Sequence, residues 1–163
     1  MKSLRTLRLT LPMALATLML SVAGAVSPAS ASVTYWRYID GYENSCLSSS
    51  STTSNVWSEP CGQTIARYQW WWGDTITSGG STWRQLISAE NGKCLTTDHK
   101  TDNNAVWTSA CGNAPDQWWS GDGDSLASWN GMSLRSSANG DAVYVSGYGA
   151  VEFDRYTWRG YRN

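Results

Sequence analysis

The sequence predicts an all-β domain made of one unit written three times. Two observations carry this. A cysteine-bracketed stretch occurs twice at nearly constant offset, and helical periodicity is nearly absent after residue 31. In the second copy the stretch runs from Glu90 to Trp119: Cys94-Leu95-Thr96, a polar loop, Val106-Trp107, Cys111, then Gln117-Trp118-Trp119. The first copy offers Cys46-Leu47-Ser48, Val56-Trp57, Cys61 and Gln69-Trp70-Trp71. Cys46 and Cys94 lie 48 apart, Cys61 and Cys111 lie 50 apart, Gln69 and Gln117 lie 48 apart, and the Trp-Arg pairs at 36 and 83 lie 47 apart. A single hairpin cannot produce such spacing, whereas a duplicated structural unit does.

The third copy is eroded. Ser133-Leu134 takes the Cys-Leu place, Val143-Tyr144 the Val-Trp place, Tyr148 the second-cysteine place, and Tyr156-Thr157-Trp158 the Gln-x-Trp place. It therefore has no bridge.

Each copy reads as four short strands. No apolar i, i+3, i+4 pattern survives three turns, and brief aromatic or β-branched runs alternate with turn clusters. In copy one the strands fall near 34–39, 46–48, 55–59 and 67–72; in copy two near 83–88, 94–96, 105–109 and 117–119; in copy three near 125–129, 132–136, 142–145 and 155–159. Asp40-Gly41, Gly79-Gly80, Asn91-Gly92, Asn130-Gly131 and Asn139-Gly140 mark turns, because Gly and Asn accept positive φ. Twelve strands in three equal sets are expected to close on themselves, which removes exposed edges.

The first 31 residues read as an export signal. Lys2, Arg5 and Arg8 precede an apolar run to Leu20, and Ser27-Pro28-Ala29-Ser30-Ala31 ends in the small residues a signal peptidase needs. Pro12 interrupts the run, which is too short to span a bilayer. The expected product is one extracellular domain, 32–163. The leader's three basic residues leave nine of the chain's 12, against 13 acidic ones, so this domain carries −4. An acidic domain without a basic run does not suit nucleic acid, which is held by Lys and Arg.

Export also bears on the cysteines. Four thiols allow three pairings. Cys46–Cys61 and Cys94–Cys111 are expected, because each then closes the same loop within its own copy. Their spacing is not that of a zinc site, and no cofactor or metal is implied. A loop near 15 residues is stabilised by about 3 kcal/mol through such a bridge.

The pattern Cys-Leu, Val-x-x-x-x-Cys, Gln-x-Trp resembles the ricin B-type β-trefoil lectin family across essentially the whole exported chain. That resemblance implies a β-trefoil with pseudo-threefold symmetry. It also implies that the last Trp of each motif (Trp71, Trp119 and Trp158) fills a shared interior. The family is expected to bind sugar by pairing an acid directly after Cys-Leu with a ring shortly before the second cysteine. The chemistry is direct: a carboxylate accepts from adjacent hydroxyls and a ring covers the sugar's apolar face. This chain departs from it. Ser48, Thr96 and Arg135 follow the Leu residues, Glu59 and Ser109 hold the ring position, and rings occur two residues earlier at Trp57, Trp107 and Tyr144.

The expected carbohydrate pockets are therefore Thr96, Asp98, Trp107, Asp116 and Gln117 in copy two, ranked first, with Asp102 nearby; Ser48, Trp57, Tyr68 and Gln69 with Glu59 in copy one; and Tyr144 with Asp141 and Tyr148 in copy three. Eleven Trp and eight Tyr suit either a core or a binding surface. Of Trp70-Trp71-Trp72, strand alternation puts the first and third on one face.

Nothing points to catalysis. The sole histidine, His99, is expected in an exposed loop. There is no Gly-x-Ser-x-Gly, no His-Glu-x-x-His and no unpaired cysteine. Two functions remain open: non-catalytic binding of a glycan or glycoconjugate, or binding of a secreted protein as a delivery or anchoring subunit or an inhibitor.

Overall fold

The computed structural model describes residues 32–63 and 65–163. The expected export signal at 1–31 lies outside them. Among the described residues there are twelve strands and three short 3-10 turns. Copy one holds β1 (Trp36–Asp40), β2 (Ser45–Ser49), β3 (Val56–Pro60) and β4 (Trp70–Ser78). Copy two holds β5 (Ser81–Ser88), β6 (Cys94–Thr97), β7 (Asn103–Ser109) and β8 (Trp119–Ser120). Copy three holds β9 (Ala127–Ser128), β10 (Ser133–Ser136), β11 (Val143–Ser146) and β12 (Trp158–Arg162). The twelve expected strands thus recur with shifted ends.

Six strands form a ring. Within copies, β1 meets β4 at Trp36–Trp70 and β5 meets β8 at Arg84–Trp119. Between copies, β4 pairs with β5, β8 with β9 and β12 with β1. The last link is one hydrogen bond: Trp158 N–H donates to the Asp124 carbonyl at 2.7 Å. Asp124 stands in copy three where Trp36 and Arg84 stand in the others. The remaining strands make three hairpins, β2–β3, β6–β7 and β10–β11, capping one end.

The caps meet cyclically. Asn55 bridges Trp107, Ala105 pairs with Tyr144, and Ala142 bridges Trp57. The same step taken three times makes a pseudo-threefold axis.

The interior is built in triplets. Leu47, Leu95 and Leu134 are fully buried, as are Trp70, Trp119 and Trp158; Val56, Val106 and Val143 pack beside them. Each indole N–H donates to its own copy's leucine carbonyl: Trp70 to Leu47 at 2.9 Å, Trp119 to Leu95 at 2.8 Å and Trp158 to Leu134 at 3.2 Å. A buried indole N–H needs such a partner, so the bond fixes which Trp belongs to the core.

That bond corrects the register of copy one. The core residue is Trp70, not Trp71, and the motif is Tyr68-Gln69-Trp70. The 3-10 turns confirm it, since Ala66–Tyr68 corresponds to Pro115–Gln117 and Phe153–Tyr156. Trp71 is half-buried on the opposite face, while Trp72 packs against the core and meets Tyr38 edge-on at 6.3 Å. The Trp-Arg pairs were also one residue out of step, because Trp36 matches Arg84 rather than Trp83.

Both expected disulfides are present, Cys46–Cys61 and Cys94–Cys111, and no cysteine is free. The β4–β5 hairpin turns through Gly79 and Gly80, both at positive φ (59° and 79°). No helix among the described residues is long and apolar enough to cross a membrane.

Candidate functional site

Equivalent positions behave differently in the three copies. The residue after each leucine faces, across the cap hairpin, the ring two residues before the family's aromatic position: Ser48 pairs with Trp57, Thr96 with Trp107 and Arg135 with Tyr144. Two residues further along each second strand stand Glu59, Ser109 and Ser146. The 3-10 turns add Tyr68, Gln117 and Tyr156.

In copy two these polar groups bond one another. Thr96 and Ser109 hydroxyls lie 2.8 Å apart, and Gln117 Nε2 donates to Ser109 Oγ at 2.7 Å and to the Ala110 carbonyl at 2.8 Å. Gln117 Oε1 accepts from Gly112 N–H at 2.7 Å. Thr96 and Gln117 are buried beneath the surface. Asp98, His99, Trp107 and Asp116 are half-buried. Asp98 pairs with Lys100 at 3.3 Å. Asp116 Oδ1 and His99 Nε2 are shielded from solvent and have no partner in the protein.

His99 is not the exposed loop residue the sequence led one to expect. It is half-buried with a left-handed φ of 53°. Burial pushes its pKa below the ordinary 6.5, against the pull of Asp116 and Asp98. Asp102 is exposed.

In copy three the pocket position is filled. Arg135 is almost fully buried, and its guanidinium donates to Ser146 Oγ, the Ser136 carbonyl and Asn103 Oδ1 at 3.0, 3.1 and 2.9 Å. It covers the Tyr144 ring at 5.1 Å from the centroid. Tyr144 therefore stacks on protein rather than offering a free face there.

In copy one the groups stay open. Ser48 and Tyr68 are buried, with Ser48 Oγ donating to the Cys46 carbonyl at 3.2 Å. Trp57 and Glu59 share the outer face of β3. Trp57 and Arg67 line a hollow of about 170 Å³ with Ser49, Ser50, Ser51 and Glu90. Arg67 approaches Glu59 Oε1 at 3.6 Å, too long for a hydrogen bond, and that oxygen is shielded from solvent without a partner. Gln69 sits one residue past the motif position, its carbonyl accepting Ala89 N–H at 2.9 Å.

The structure also brings together two rings that the sequence assigned to separate pockets. Trp57 and Trp107 border one hollow of about 410 Å³ at the pseudo-threefold axis, lined also by the buried Val56 and Val106.

No family model and no curated protein matches the chain. Solved structures do. A designed 3-fold symmetric protein, ThreeFoil, aligns with a TM-score of 0.63 at 19% identity, covering 77% of this chain and 96% of that one. The fold is a β-trefoil. The earthworm R-type lectin C-half, solved in complex with GalNAc, aligns over 80% of this chain and 99% of its own (TM-score 0.55, 12% identity). A non-toxic homologue of type II RIPs from Momordica charantia (bitter gourd), in complex with α-methyl-D-galactoside, aligns over 79% of this chain and 48% of its own (TM-score 0.61, 15% identity). At such identities the likeness extends to the trefoil alone, and function rests on this chain's own side chains.

No group of three or more His, Cys, Asp or Glu able to hold a metal occurs among the described residues.

Proposed function

We propose that this trefoil is an exported, non-catalytic carbohydrate-binding module whose leading pocket is that of copy one. The observation that carries it is Glu59 Oε1, shielded from solvent and ion-paired with Arg67 at 3.6 Å but without a hydrogen-bond donor, on the same strand face as the Trp57 ring. A buried carboxylate oxygen without a donor is costly. A ligand hydroxyl supplies that donor while the indole covers the sugar's apolar face. The acid that the family places on the first hairpin strand is here supplied from the second. Copy two, with Asp116 Oδ1 likewise lacking a hydrogen-bond donor near His99, contributes a weaker pocket, since its Thr96, Ser109 and Gln117 already bond one another. Copy three contributes none at this position. Two internal disulfides support export, because such bridges persist in oxidising compartments.

A glycan array with competition by free sugars tests this reading. Binding is expected, with Glu59→Gln and Trp57→Ala each lowering affinity at least about tenfold. Silence across the array, alongside a co-purifying secreted protein, would favour the anchoring function instead.

A further inference from the structure

A second surface lies away from the hairpin pockets. The 3-10 turn of copy three carries Phe153, the chain's only phenylalanine and 73% exposed. It stacks near-parallel (20°) on Tyr148, 59% exposed, with ring centroids 6.2 Å apart. Tyr148 in turn rests on the buried Tyr156 at 4.9 Å, so the platform is anchored. The two rings stand over a hollow of about 410 Å³ that also includes Asp122, Asp124 and Asp154. A smaller hollow of about 220 Å³ at the barrel mouth, between Trp36 and Trp72, shares Gly123 and Asp124 with it. The two adjoin at these residues as one furrow: its carboxylates cluster at the Tyr148–Phe153 end, and Arg84 lies over the Trp72 ring at 6.0 Å at the other.

Charge decides the occupant. At the Tyr148–Phe153 end there are three carboxylates and one guanidinium, Arg159, which Asp124 engages at 3.4 Å. Asp122 accepts only from Ser120 at 2.9 Å. Exposed rings flanked by free carboxylates favour a ligand with flat apolar faces and positive charge.

We propose that this furrow binds a linear glycan carrying free amino groups, its sugar rings lying on Tyr148 and Phe153 and its ammonium groups facing Asp122 and Asp154. The site is separate from the Trp57 pocket, so either can fail without the other.

The test is calorimetric titration of the whole exported chain at mildly acid pH with a glucosamine oligomer and with its fully N-acetylated counterpart. The amino form is expected to bind at least about tenfold tighter. Phe153→Ala should lower that affinity about tenfold, and Asp154→Asn should lower it and flatten its salt dependence. Phe153 and Asp154 are exposed, so both variants should melt like the parent; Tyr148→Phe, which keeps the ring, should retain binding. Equal affinity for the two oligomers would overturn the proposal, as would indifference to Phe153→Ala. A lysine-rich peptide matching the amino glycan through the same residues would also overturn it, assigning the furrow to a basic protein segment.

Discussion

Copies one and two are closed by disulfides; copy three reaches the same backbone without one. Where the others have cysteines, it has Ser133 and Tyr148. Its cross-links are polar. Arg135 ties β10 to Ser146 and Asn103. Tyr156 OH lies 3.0 Å from the Ser146 hydroxyl, donates to the Gly147 carbonyl at 2.7 Å and accepts Ala150 N–H at 3.1 Å. Arg155, also almost fully buried, bonds the Ser137 carbonyl and Glu152, and reaches Glu43 of copy one while lying over the Tyr42 ring at 3.7 Å. A bridge constrains the unfolded chain within one copy, whereas this network works only in the folded state and joins copy three to copies one and two. The same guanidinium that helps hold copy three together occupies its pocket. Arg135 thus both cross-links copy three and fills its pocket.

The comparison implies that the copies differ in their caps and not in their shared interior, and the core gives the largest effect. Trp70→Ala and Trp158→Ala should each cost about 4 kcal/mol in denaturant unfolding, bridge or no bridge. Trp71→Ala should cost under about 1 kcal/mol, being half-buried and outside the core. Equal losses at positions 70 and 71 would mean that the register of copy one is wrong.

How much of this was legible follows from the same residues. The first cysteine and its leucine recur at 48, Cys46 to Cys94 and Leu47 to Leu95, and the second cysteine at 50, so the copies and their bridges could be read directly. Gln69 misled by recurring at 48 too. The disulfide-closed loop spans 15 residues in copy one against 17 in copy two, and the stretch from the second cysteine to the motif is one longer, so the structural match to Gln117 is Tyr68. A slip of one residue in a strand turns every side chain to the other face, which is how Trp71 came to replace Trp70. Three adjacent tryptophans hide such a slip; only the indole-to-leucine hydrogen bond exposes it. The candidate site was less legible. Residue types gave Trp57 and Glu59, but the Thr96–Ser109–Gln117 bonds, the Arg135 cover on Tyr144 and the meeting of Trp57 with Trp107 depend on contacts between strands far apart in sequence.

The next effect separates covalent from polar closure. Replacing Cys94 and Cys111 together by alanine should cost about 3 kcal/mol. Arg155→Ala should cost about 2 kcal/mol, the scale of lost hydrogen bonds from a charged group with partly exposed acid partners. Reductant should lower the unfolding midpoint of the parent and of the arginine variant equally. If reductant instead abolished the Arg155→Ala loss, the polar network would depend on the bridges, and the two modes of closure would not be independent.

The smallest effect concerns acid. Copy two contains the chain's only histidine and copy three none, so only copy two titrates through an imidazole. Burial holds the folded-state pKa of His99 below 6.5. As pH falls below 6.5 the unfolded chain therefore takes up the proton first. Stability attached to this group is complete above that value and declines from it down to the folded pKa. His99→Asn, which removes the titrating group and suits the left-handed φ, should flatten the unfolding midpoint between pH 6.5 and the onset of carboxylate protonation. The change should be modest, because the ring is only half-buried and Asp116 and Asp98 already favour its charged form. A parent midpoint that rises as pH falls through this window would mean that the two carboxylates outweigh burial, making copy two's loop a site for the imidazolium rather than for the neutral ring.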